Sequence, residues 1–226
     1  MSAATRLTDK TGVSRDGMVA LGVDFDEFDV IAGLPLRPVN RPTETDEWYQ
    51  YRSQYTDDYN KMKTWLTAHT PLAKRKLVFR REWEHYATSR LPILLVEGFT
   101  DYLTAAHHLA DVFNVVGSVG VAIMRPFDYL MRLAAPLYVC MDNDEAGLRT
   151  VQWVCREATF WSGASPTYVI DWPADVPRGT DVSDLADLTD LHPASNHWRE
   201  AKPLATAGDY VPVPMTTYQY QTRKES

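Results

Sequence analysis

Residues 137–147 read LYVCMDNDEAG and join a short apolar run to an acidic turn. The run Leu137–Met141 is typical of a strand buried on both faces in a parallel sheet. Asp142 and Asp144 follow it directly, and a helix is predicted over Glu145–Thr159. Because ligands bind at the carboxyl ends of parallel strands, this acidic turn is a candidate functional site.

The same arrangement of strand, acidic residues and helix occurs upstream. Ile93–Val96 is a second apolar run, Glu97-Gly98-Phe99-Thr100-Asp101 follows it, and a helix is predicted over Tyr102–Ala110. Further elements are predicted as a strand at Phe113–Val116 closed by a Gly117–Gly120 turn, a helix at Phe127–Leu133 and a strand at Thr167–Ile170. Strands that alternate with helices in this way predict an α/β fold with a central, mostly parallel sheet flanked by helices.

The rest of the chain has a different texture. Residues 1–20 are small and polar, and we expect them to be loosely held. Aromatic and apolar residues recur at helical spacing from Asp46 to Leu66. We therefore divide the chain into a smaller, mostly helical N-terminal region (1–90), an α/β domain (91–200) and an extended tail rich in Pro and Tyr (201–226).

Composition limits the classes of function. The chain of 226 residues is 45% hydrophobic and 23% charged, with a net charge of −7. The acidic excess lies after residue 90, which argues against passive coating of nucleic acid but leaves metal-assisted chemistry open. The two cysteines are too few for a zinc ribbon. No apolar stretch is long enough to span a bilayer, so we expect a cytoplasmic protein without a membrane partner.

The acidic residues at the strand ends predict a metal site. Two like charges about 4 Å apart repel by roughly 4 kcal/mol at an effective dielectric constant near 20, and a divalent cation removes that cost. Oxygen ligands without nearby Cys or His suit Mg²⁺ or Mn²⁺. A simpler interpretation stays open for each motif, because Asp101 and the Asp142/Asp144 pair are also typical of helix caps.

At this point the sequence resembles a known family. Glu97-Gly98-x-x-Asp101 followed by Asp142-x-Asp144-x-Ala146-Gly147 resembles the TOPRIM (topoisomerase–primase) signature, and DNDEAG is most similar to DnaG-type and phage-type DNA primases. Residues 116–120 and 179–185 are also similar to primase segments, with Thr180 in place of the usual lysine. The resemblance implies a Rossmann-like TOPRIM fold.

The resemblance also implies roles for individual residues. Glu97, Asp142 and Asp144 would be catalytic, and the same three residues with Asp181 would bind Mg²⁺ (or Mn²⁺). Glu97 would complete the metal site or act as a general base toward an attacking 3′-hydroxyl. The residues expected to support these ligands are Asp101, Asp184, Gly98 and Gly147.

Three functions remain in competition. The first is a primase-type nucleotidyltransferase of a phage or plasmid replication system, which makes short RNA primers on single-stranded DNA from ribonucleoside triphosphates. Its partners would include a helicase or a separate zinc-binding primase subunit. The second is a TOPRIM nuclease that hydrolyses DNA or RNA, and the third is a non-catalytic accessory subunit. A basic cluster either follows a nucleic-acid backbone or forms a solvated helix face; it comprises Lys74, Arg75, Lys76, Arg80 and Arg81.

Overall fold

A computed structural model describes most of the α/β region and the first residues of the chain. The described residues are 2–38, 77–81, 89–119, 127, 130, 131, 133, 135–158, 165–185 and 187–201. Three sequence predictions fall outside them: the helix at 46–66, the basic residues 74–76 and nearly all of the tail after residue 200.

A seven-stranded sheet organises the described residues. Its strands are β3 (Leu36–Pro38), β4 (Leu77–Phe79), β5 (Ile93–Glu97), β6 (Asn114–Ser118), β7 (Leu137–Cys140), β8 (Thr167–Ile170) and β9 (Trp198–Glu200). A separate small hairpin precedes them and is formed by β1 (Asp24–Phe25) and β2 (Ile31–Gly33).

The strand order confirms the predicted fold class. Across the sheet the order is β3-β4-β6-β5-β7-β8-β9, and the four central strands β6, β5, β7 and β8 run parallel. The strands β3, β4 and β9 add antiparallel edges that the sequence analysis did not predict. The strands β3 and β4 precede residue 90 and join the same sheet as the later strands. The domain boundary proposed at residue 90 stays a prediction.

Four α-helices are described: α1 (Ala3–Thr11), α2 (Arg15–Ala20), α3 (Phe99–His108) and α4 (Glu145–Ala158). Two 3₁₀ turns follow at Val182–Asp184 and Leu188–Leu191. Helix α3 begins three residues earlier than predicted, since Gly98 caps it with a φ of 97° that other residues rarely adopt. The predicted helix at Phe127–Leu133 is only partly described, but its side chains Phe127, Leu130 and Met131 are buried.

The turn predicted at Gly117–Gly120 is wrong at its start, because Gly117 and Ser118 belong to β6. Gly117 is needed there for close packing. A Cβ atom at this position would lie 2.7 Å from Cβ of Tyr102 and 2.9 Å from the carbonyl oxygen of Gly98. The glycine therefore lets α3 approach the sheet instead of ending the strand.

The apolar core forms one layer on each face of the sheet. Leu94 and Val96 of β5 pack with residues of α1, α2 and α3, such as Leu7, Met18 and Leu103. The alternate β5 residues Ile93 and Leu95 pack with α4 through Val151 and Val154. Side chains that alternate between two buried layers explain why the central strands are apolar throughout.

The expectation that residues 1–20 are loosely held is wrong. Oγ of Ser2 accepts a hydrogen bond from the Thr5 amide at the start of α1, and Gly12 ends the helix in a left-handed conformation with its amide bound to the Thr8 carbonyl. Leu7 on this helix is buried, and α1 contacts α3. A stripe of small apolar residues is enough to dock this helix, because α3 offers a complementary apolar face.

The cysteines and the length of the helices add two further facts about the described residues. Cys140 and Cys155 are both buried and form no disulfide. Among the helices described, none is long and apolar enough to cross a membrane.

Leu7→Ala tests the docking of α1. The substitution removes a buried side chain, so we expect the free energy of unfolding in urea to fall by about 2–4 kcal/mol. The matched control is Val19→Ala on α2, where the side chain is 47% exposed, and its effect should stay within about 0.5 kcal/mol. Equal effects of the two substitutions would contradict the docking of α1.

Candidate functional site

Glu97 and Asp142 lie at the carboxyl ends of adjacent strands. Glu97 is the last residue of β5 and pairs in register with Ser118 of β6. On the other side of β5, Val96 is in register with Cys140, the last residue of β7, and Asp142 follows two residues later. Neighbouring strands are about 4.8 Å apart, so the two acidic residues start from neighbouring points on the same edge.

The turn from Asp142 to Gly147 is tightly folded. The Asp144 amide donates to the Asp142 carbonyl at 2.8 Å, and Oδ1 of Asp144 accepts from the Gly147 amide at 2.7 Å. Asp144 thus caps α4, as the simpler interpretation of this motif proposed. A Cβ atom at Gly147 would overlap the carbonyl oxygen of Asp142. Only glycine therefore lets the start of α4 lie directly against the acidic turn.

Asn143 fastens a neighbouring loop to this turn. It is buried, and its Nδ2 donates to the carbonyls of Val176 at 3.1 Å and Pro177 at 2.9 Å. Its backbone amide donates to the Thr180 carbonyl at 2.9 Å, and its carbonyl accepts from the Gly179 amide at 2.8 Å. The sequence analysis missed this role, because the loop is more than 30 residues away along the chain.

Asp101 is the buried member of the site, with 1% of its surface exposed. Burial raises the pKa of its carboxyl well above the ordinary value, and the charges of Asp181 and Asp142 raise it further. The Ser183 amide, which donates to Oδ1 of Asp101 at 3.2 Å, opposes the shift, as does Lys10. Asp142 and Asp181 therefore both lie close enough to Asp101 for their charges to act on it.

The same carboxylates affect the pKa of the buried Cys140 thiol. Burial raises its pKa well above the ordinary value, and the charges of Asp101, Asp142 and Asp181 add to the shift. A buried thiol held in the protonated form is a poor nucleophile, and Cys140 serves as an apolar side chain of the core at this edge.

Asp181 and Asp184 form a reciprocal capping pair around the 3₁₀ turn Val182–Asp184. Oδ1 of Asp181 accepts from Oγ of Ser183 at 2.6 Å and from the Asp184 amide at 3.0 Å. Oδ2 of Asp184 accepts from the Asp181 amide at 3.2 Å. The expected metal ligand Asp181 and the expected supporting residue Asp184 therefore both stabilise the turn itself.

Lys10 of α1 reaches this acidic group, which the sequence analysis also missed. Its Nζ lies 3.1 Å from Oδ2 of Asp181 and 3.9 Å from Oδ1 of Asp184. Burial lowers the pKa of Lys10, but the hydrogen bond to Asp181 and the charges of Asp181, Asp184 and Asp101 outweigh that effect and raise it. The ammonium is therefore charged at neutral pH, and no local sequence pattern could have placed it here.

A cleft of about 480 Å³ opens beside Asp184. The loop 175–180, which Asn143 fastens, forms most of its wall, and Arg178 is the basic residue in that wall. Its volume lies within the range of about 300–1,000 Å³ that is usual for ligand pockets.

The predicted nucleic-acid-binding residues are only partly described. Arg80 is 2% exposed and donates from Nη1 to the carbonyl of Arg81, which is itself half-buried. A buried guanidinium has little surface to offer a phosphate backbone. Lys74, Arg75 and Lys76 lie outside the described residues.

The acidic residues offer the oxygen ligands that a hard divalent cation prefers, but those described do not enclose one. Across the described ranges, no three His, Cys, Asp or Glu side chains converge closely enough to surround a metal ion. Magnesium, however, commonly keeps several waters and takes only one or two protein carboxylates. Asp142 and Asp144 supply such oxygens. The ion pair of the Lys10 ammonium with Asp181 shows that this edge stabilises a positive charge.

The chain is similar to one known protein family and to a solved structure. The Toprim-like family matches residues 94–185. The solved structure of the Aquifex aeolicus primase zinc-binding and RNA polymerase domains is similar to this chain with 19% sequence identity and a TM-score of 0.37. That similarity covers 49% of this chain and 26% of the primase structure, about a quarter of its length. No curated protein matches the sequence. Residues 94–185 of the chain are therefore a Toprim-like domain.

Proposed function

We propose that this protein is a metal-dependent nucleic-acid enzyme whose reaction is primase-type nucleotidyl transfer. It would join ribonucleoside triphosphates into short RNA primers on a single-stranded DNA template. The observation that carries the proposal is the position of Asp142 at the carboxyl edge of a TOPRIM-type sheet, next to the strand that ends in Glu97 and close enough to Asp101 to raise its pKa, as Asp181 also does. A helicase or a zinc-binding primase subunit stays a predicted partner.

Asp142 and Asp144 are the residues that we assign to hold Mg²⁺ or Mn²⁺. The hydrogen bond from the Gly147 amide fixes the Asp144 carboxylate, and the packing of Gly147 fixes the Asp142 backbone. A cation held by these two residues would supply charge neutralisation and orientation of the phosphate oxygens for in-line transfer. Holding the Asp144 carboxylate and the Asp142 backbone in place reduces the reorganisation that this step requires.

Glu97 is the residue that we assign to accept the proton of the attacking 3′-hydroxyl. It is half-buried and ends β5, the strand next to β7, which the acidic turn follows on the same edge of the sheet. Asp101 orients the neighbouring 3₁₀ turn through the Ser183 amide. The cleft beside Asp184 is the proposed seat of the incoming nucleotide, with Arg178 available to its phosphates.

Asp142→Asn should strongly reduce primer formation. The protein is incubated with single-stranded DNA, labelled ribonucleotides and Mg²⁺ or Mn²⁺, and the products are separated by size. We expect short oligonucleotides from the wild-type protein and about 100-fold less product from the variant, because the amide cannot neutralise a metal ion. Loss of full-length DNA instead of primer formation would identify a nuclease, and no reaction of either kind would contradict the proposal.

Asp111→Asn provides the matched control. Asp111 is exposed and precedes β6, at the amino edge of the sheet and far from the proposed site. The same change of charge there should leave primer formation within about twofold of the wild-type level. A comparable loss in both variants would mean that Asp142 acts only through net charge.

Asp101→Asn should make the metal-free protein more stable at neutral pH, by about 0.5–2 kcal/mol in urea unfolding. The folded-state pKa of Asp101 lies above its ordinary value because of burial and the charges of Asp181 and Asp142. Its contribution to stability is therefore full below about pH 3.9 and is lost as pH rises through the raised pKa.

The variant keeps an oxygen that can accept from the Ser183 amide but carries no charge. The stability difference between it and the wild-type protein should thus grow as pH rises from about 4 and shrink when Mg²⁺ is added. A difference that is independent of pH would show that the pKa of Asp101 is the same in the folded and unfolded protein, which would contradict its raised value in the fold.

A further inference from the structure

We propose that Lys10 is a built-in counter-ion that competes with the divalent cation for the acidic site and so lowers its affinity for metal. The inference rests on the proposed function, because it concerns the same site. It starts from the contact of the Lys10 ammonium with Asp181 at 3.1 Å and Asp184 at 3.9 Å, across 171 residues of chain.

The ammonium is delivered by a fixed element. Helix α1 is capped at both ends, by Ser2 and Gly12, and Leu7 anchors it in the core one turn before Lys10. The same helix contacts both α3 and the 3₁₀ turn Val182–Asp184. Because the backbone of α1 is already fixed, the contact with Asp181 costs only the rotamer freedom of the Lys10 side chain.

Lys10 occupies the oxygen of Asp181 that the turn does not use. Oδ1 of Asp181 already accepts from Oγ of Ser183 and from the Asp184 amide, while Oδ2 accepts from Lys10. Asp181 is therefore engaged on both oxygens, and a metal ion would have to displace Lys10 to reach it. A divalent cation would therefore be confined to the side of Asp142 while this contact holds.

Electrostatic repulsion between the Lys10 ammonium and the cation sets the expected change in metal affinity. An ammonium within roughly 8 Å of a divalent cation, in surroundings close to water in dielectric constant, repels it by about 1 kcal/mol, which corresponds to roughly a fivefold change in affinity. Removal of the ammonium should therefore strengthen metal binding, whereas a purely structural role for Lys10 would leave it unchanged or weaken it.

The chain offers a matched ion pair for comparison. Arg15 pairs with Asp29 at 2.6 Å, and its side chain is 44% exposed, the same fraction as that of Lys10. The two pairs differ in the carboxylate, because Asp181 is 18% exposed and belongs to the acidic site, whereas Asp29 is 45% exposed and lies in the loop of the β1–β2 hairpin.

The test measures Mn²⁺ affinity of the full chain by electron paramagnetic resonance of free Mn²⁺. Lys10→Met and Lys10→Gln both keep good helix formers in α1 and should bind Mn²⁺ about three- to tenfold more tightly than the wild-type protein. Lys10→Arg, which keeps the charge, and Arg15→Met, which removes a remote charge, should stay within about twofold of it. Adding Asp181→Asn to Lys10→Met should remove most of the gain.

Each outcome decides a separate point. Unchanged or weaker Mn²⁺ binding in both Lys10→Met and Lys10→Gln would overturn the inference while leaving the proposed function in place. An equal gain in Arg15→Met would also overturn it, because the effect would then come from net charge. Failure of the wild-type protein to bind Mn²⁺ any better than Asp142→Asn would overturn the proposed function and the inference together.

Discussion

Repulsion among carboxylates that meet at one edge of a sheet is the constraint on which this structure depends. Parallel strands bring their carboxyl ends together; here Asp142 follows such an end, with Asp101 on α3 and Asp181 at a 3₁₀ turn close by. Like charges in a partly buried place are costly, so the surroundings must supply compensation. The described residues do so through the Ser183 amide at Asp101 and the Lys10 ammonium at Asp181. A bound divalent cation would complete that compensation and turn a destabilising arrangement into a functional one.

The supporting elements serve this edge from both faces of the sheet. Helices α1 and α3 lie in one apolar layer and bring Lys10 and Asp101 to the site, while α4 packs in the other and begins at the Asp144 cap. Gly117 and Gly147 permit the close approaches, because a Cβ atom at either position would collide with neighbouring backbone or side-chain atoms. Asn143 then ties the loop 176–180 to the acidic turn. The site is thus held by packing and hydrogen bonds before any ligand binds.

The sequence predicted those parts of the structure that local patterns encode. Thr167–Ile170 has the predicted bounds, and the strands and helices around Glu97 and Asp142 differ from prediction by a few residues, because unbroken apolar runs and helical periodicity are strong local signals. The docking of α1, the antiparallel edges of the sheet and the contact of Lys10 with Asp181 could not be predicted in the same way. Each depends on residues far apart in sequence that meet only after the sheet has formed.

The central claim is that the carboxyl edge of the sheet captures a hard divalent cation, and a crystal of the protein grown with Mn²⁺ tests it most directly. Anomalous scattering at the manganese edge locates the ion without reference to the protein chemistry. The account predicts a peak within coordination distance of Asp142, with an Asp144 or Glu97 oxygen or bound water completing the shell. A site elsewhere on the molecule, or Mn²⁺ absent from this edge at a concentration that saturates binding in solution, would contradict it.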